Sequence, residues 1–173
     1  GSSRDDSTGQ PRVFAIRSTD GLDWTAAPTD LGHQDVFTVG TMGSTPAVAL
    51  RDSAGAQTLV ALDATGPRTI ELTSVLGESV AGRIGTVEFG PLGVAIAYGD
   101  TADGRPGLVA HSTDGTTFSL VELPAAPAGT DEHVSGVSVS ADAITVRLNR
   151  YPAGIVPDER TRPEQRAFVG TPG

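Results

Sequence analysis

Two short segments carry a hydroxyl and a carboxylate at the same spacing: Ser18-Thr19-Asp20-Gly21 and Ser112-Thr113-Asp114-Gly115. His111 precedes the second, so serine, histidine and aspartate, the parts of an activated hydroxyl nucleophile, stand side by side. A Ser/His/Asp set can be drawn from any chain of this size, however, and no Gly-x-Ser-x-Gly elbow supports it. A metal centre finds no ligand set, because His33, His111 and His133 are scattered. Asp100-Thr101-Ala102-Asp103-Gly104 lacks the Asp-x-Asp-x-Asp-Gly spacing of a calcium loop and reads instead as a hairpin turn. The glycine-rich pieces never lead into a helix, so none reads as a phosphate cradle. No cofactor and no metal are expected.

The elements that position these residues are short. Segments of four to eight residues, alternating or rich in Val and Ile, are bounded by Gly, Pro, Asp and Ser, and the pattern predicts an all-β chain. The expected strands are 11–17, 23–27, 35–40, 47–51, 58–63, 68–74, 84–90, 93–99, 107–112, 117–123, 134–140, 143–149 and 165–170. Residues 1–10 read as a flexible N-terminal segment and 11–173 as one domain. The apolar runs are too short to span a bilayer, and the N-terminus has no apolar signal-peptide centre. A net charge of −9 argues against nucleic acid, whose phosphates need a basic face. All twelve basic residues are arginine, which with the abundant Ala, Gly and Val fits a GC-rich, actinobacterial type of genome. The chain has no cysteine, which removes disulfides, thiolate metal sites and cysteine nucleophiles together.

A repeat organises the strands. VFAIRSTDG (13–21), LVALDATG (59–66) and LVAHSTDG (108–115) align, and AFVGTPG (167–173) fits at the end. The anchors Ser18, Ala64, Ser112 and Thr171 are spaced by 46, 48 and 59 residues, with four strands to each full period. That period and strand number are the pattern of β-propeller blades, about three in this chain. With strands lettered A to D from the axis outward, the order is C-D, A-B-C-D, A-B-C-D, A-B-C, and 35–40, 84–90 and 134–140 are the inner strands. In this register His111 takes the place of Arg17 and is a side chain of an outer strand.

The two segments of the opening, extended to Trp24 and Phe118, resemble Asp-boxes, the bacterial neuraminidase repeat: Ser18, Asp20, Gly21, Trp24 and Ser112, Asp114, Gly115, Phe118. The box is a turn between strands C and D. Its Ser and Asp satisfy turn amides that have no ladder partner, its Gly allows positive φ, and its aromatic packs beneath. The resemblance implies that these carboxylates are structural and that any pocket lies on the opposite face. Ala64-Thr65-Gly66-Pro67 keeps the turn but loses both Ser and Asp.

The resemblance also implies a possible sialidase-type active site. That family uses three arginines on the substrate carboxylate, a tyrosine nucleophile assisted by glutamate, and an aspartate acid/base. Its Arg-Ile-Pro motif survives here as Arg83-Ile84-Gly85, and the remaining candidates are Glu88, Tyr98 and Arg147. No complete set can be assigned from them, and surface arginines with a core tyrosine are the favoured reading. Two functional classes follow: a non-catalytic secreted or surface-tethered module that binds a glycan or protein, or a piece of a sialidase-like glycoside hydrolase. About three blades do not close a usual propeller, so the expected resolutions are a fragment of a longer propeller, a homodimer completing a ring, or an irregular β-sandwich.

Overall fold

A computed structural model describes residues 2–4, 11–16, 18, 20, 22, 29–32, 35–77, 84–98, 107–155 and 161–171. Among them the chain is all-β, in four antiparallel sheets that each run as a meander. Sheet 1 holds β1 (Ser2–Arg4), β2 (Pro11–Ala15) and β3 (Thr29–Gly32). Sheet 2 holds β4 (Asp35–Met42), β5 (Thr45–Arg51), β6 (Gln57–Asp63) and β7 (Gly66–Glu71). Sheet 3 holds β8 (Ile84–Gly90), β9 (Gly93–Tyr98), β10 (Leu108–Ser112) and β11 (Ser119–Glu122). Sheet 4 holds β12 (Thr130–Val139), β13 (Ile144–Pro152) and β14 (Glu164–Gly170). Strand order in each sheet follows chain order, as the repeat predicts.

Three differences from the sequence expectation stand out. Ser2–Arg4, within the segment expected to be flexible, pair antiparallel with β2. Residues 29–32, not expected to be a strand, pair with β2 on its other side, while the expected strand 23–27 lies outside the described residues. The strand expected over 68–74 stops at Glu71 and turns into α1 (Leu72–Leu76), one helical turn in which Ser74 Oγ donates to Glu71 O at 2.7 Å. Leu72 and Leu76, four residues apart, lie on the same face of that turn and are both buried.

The sheets stack with one core between each adjacent pair. Val13 of β2 meets Val48, Leu50 and Val60 between sheets 1 and 2. Ala47, Ala49, Leu59 and Ile70 meet Val87, Phe89, Val94, Ile96 and Tyr98 between sheets 2 and 3. Ala95, Ala97 and Val109 meet Val137, Ile144, Val146 and Leu148 between sheets 3 and 4. Sheets 2 and 3 are therefore covered on both faces, which explains why β5 and β9 read as unbroken apolar runs. Burying a side chain such as Leu50 or Ile96 contributes about 1.5–3 kcal/mol. In β13 the buried Ile144, Val146 and Leu148 alternate with Thr145, Arg147 and Asn149, so β13 turns polar side chains to the far face of sheet 4.

The first strands of sheets 2, 3 and 4 share a feature that their sequences hide. β4, β8 and β12 each slip register by one residue, between Val36 and Thr38, Ile84 and Thr86, and Val134 and Gly136. The same one-residue slip recurs in all three strands. These strands also pack in series, β8 lying against both β4 and β12. At their far ends Gly43 N donates to Gly90 O at 2.9 Å, binding the first hairpin of sheet 2 to that of sheet 3.

Candidate functional site

The Ser-Thr-Asp-Gly segments form turns held by their own side chains. Ser112 Oγ donates to Asp114 Oδ1 at 3.1 Å and accepts from Gly115 N at 2.8 Å. Asp114 Oδ1 accepts from Thr116 N at 2.8 Å, and Oδ2 from Thr116 Oγ1 at 2.6 Å. The earlier copy repeats this: Ser18 Oγ donates to Asp20 Oδ1 at 3.0 Å, which also accepts from Leu22 N at 2.9 Å. Gly21 and Trp24 lie outside the described residues.

The second turn is locked to the neighbouring sheet. Gly115 has φ +77°, and a Cβ there would come within 2.9 Å of Ile70 Cδ1 and 3.1 Å of the Met42 sulfur. Arg68 of β7 donates to Asp114 O at 2.9 Å, and Phe118 packs on the core between sheets 2 and 3. Both Ser and Asp are thus committed to backbone groups that would otherwise lack partners. A third Ser-x-Asp turn, unread in the sequence, joins β12 to β13: Ser140 Oγ donates to Asp142 Oδ1 at 2.9 Å and accepts from Ala143 N at 3.1 Å. It has neither the glycine nor the aromatic, so it carries no signature beyond the pair itself.

The Thr116 hydroxyl, then the Thr116 amide, hold the Asp114 carboxyl well below the usual carboxylate range. A depressed folded pKa gives stability that is fully present above the unfolded value of about 3.9 and lost as pH falls through the folded one. The urea midpoint of Asp114→Asn should therefore lie below wild type at neutral pH, and the gap should narrow on acidification below about pH 4. A gap that stays constant into acid would show that the carboxylate's charge contributes nothing to the turn.

The catalytic candidates do not converge. Arg83 lies outside the described residues. Glu88 sits directly opposite Ala95, on the face of sheet 3 toward sheet 4, whereas Tyr98 shares the face of Val94 and Ile96 toward sheet 2. The two-residue period of strands thus sends the tyrosine and the glutamate to opposite sides of one sheet. Tyr98 is buried, and its desolvation pushes the phenol pKa up, the reverse of what a phenolate nucleophile needs. Its hydroxyl has no hydrogen-bond partner among the described residues. Arg147 is exposed on the far face of sheet 4.

A cleft lies elsewhere, between sheets 3 and 4 at the end carrying the Asp114 turn. This cleft of about 580 Å³ has walls of Val109, Val121, Ile144, Val146 and Phe168, with His111 and Asp114 on its rim. His111 Nε2 donates to Leu92 O at 2.8 Å, so this rim imidazole, like Asp114, is tied to backbone. A second cleft of about 320 Å³ occupies the equivalent place between sheets 1 and 2, beside Ile16, Leu62 and Ala64. Among the described residues no group of His, Asp or Glu could hold a metal ion, and no helix is long and apolar enough to cross a membrane.

Compared with known proteins, the chain matches no family model, no curated protein and no solved structure. The cleft escaped sequence reading because its walls come from four strands far apart in the chain. Of the two apolar residues of β11 only Val121 faces it, standing more than half exposed opposite Val109.

Proposed function

We propose that this chain is a non-catalytic module of the Asp-box propeller type, secreted or surface-tethered, that works by binding or scaffolding. The observation that carries the reading is the scatter of the described catalytic candidates: Glu88, Tyr98 and Arg147 project into three different environments. The blade assignment draws support from the bulge recurring in β4, β8 and β12 and from the in-phase Ser-x-Asp-Gly turns. Binding is the role that an apolar cleft suits when the Ser, Asp and His beside it are spent on turn geometry.

The test is enzymatic. The chain should show no turnover of a fluorogenic sialoside or of a panel of polysaccharides. Hydrolysis that disappears in Arg83→Ala would replace this reading with a sialidase-like one.

A further inference from the structure

We draw no further inference here: the strongest candidate, the cleft between sheets 3 and 4 walled by Val109, Val121, Ile144, Val146 and Phe168, is an apolar space, and nothing in the structure shows what covers it.

Discussion

Replacing Glu132 with alanine should destabilise the chain by about 3–5 kcal/mol, the usual consequence of removing one partner from a buried ion network. Glu132 lies on β12 with 1% of its surface exposed. Its Oε1 accepts from Arg150 Nε at 2.8 Å on β13 and from Arg166 Nη1 at 2.6 Å on β14. Arg150 also donates to Glu164 Oε2 at 3.0 Å, and its pKa is raised first by the hydrogen bond to Glu132. One carboxylate thus ties all three strands of sheet 4, and its loss leaves two guanidinium groups facing each other without their shared anion. For a domain of this size the melting temperature should fall by about 10 °C or more. Glu132→Gln keeps the shape but not the charge and should lie between alanine and wild type. Replacing Glu132, Arg150 and Arg166 together with apolar residues of similar volume should recover most of the loss, because desolvation of the charges disappears with them. Urea melts of the four proteins decide the matter. A shift in Glu132→Ala of less than about 1 kcal/mol would mean that the network is solvated and behaves as a surface pair.

Much of this architecture was written in local pattern. The strands 84–90 and 93–99 are found within a residue of their expected limits, because turn residues bracket each run, whereas the strand expected over 143–149 starts at Ile144 and runs on to Pro152. Even the position of a sheet in the stack was legible in retrospect. Gly-Val-Ala-Ile-Ala-Tyr is apolar on both faces and sits inside, whereas Ile-Thr-Val-Arg-Leu-Asn alternates and forms the last layer. What could not be read depends on register or on distant partners. The bulge passes through Val-Phe-Thr, Ile-Gly-Thr and Val-Ser-Gly, which share no residue pattern. Helix α1 is one turn long, too short for a helical period to emerge. Glu132 meets Arg150 and Arg166 only because three strands align, and nothing in Asp-Glu-His announces a buried carboxylate. The candidate site was legible in one respect: Ser and Asp read as turn formers are engaged in turns. The cleft, assembled from β10, β11, β13 and β14, was not.

Gly93→Ala should be the most damaging of the small substitutions, because it combines a forbidden backbone angle with a collision between backbones. Gly93 follows the tight turn Pro91-Leu92 and has φ +113°. A Cβ there would lie 2.1 Å from Ser112 O and 2.7 Å from Thr113 Cα. Both atoms belong to the entry of the Asp114 turn, where Ser112 is buried and its hydroxyl holds the Gly115 amide. Relief would require that turn to shift, although Gly115 within it lies close against Ile70 and Met42. Gly55 is the matched control: its φ is +88°, but nothing lies within 4 Å of a Cβ added there. Gly55→Ala should therefore cost only the left-handed strain, about 1–2 kcal/mol. Gly93→Ala adds overpacking of a further 1–3 kcal/mol or so, and its cost should also appear as lost protection of the Gly115 amide in hydrogen exchange. Equal melting points for the two variants would show that the hairpin and the Asp114 turn are not interlocked, and that the turn stands on its own side-chain hydrogen bonds.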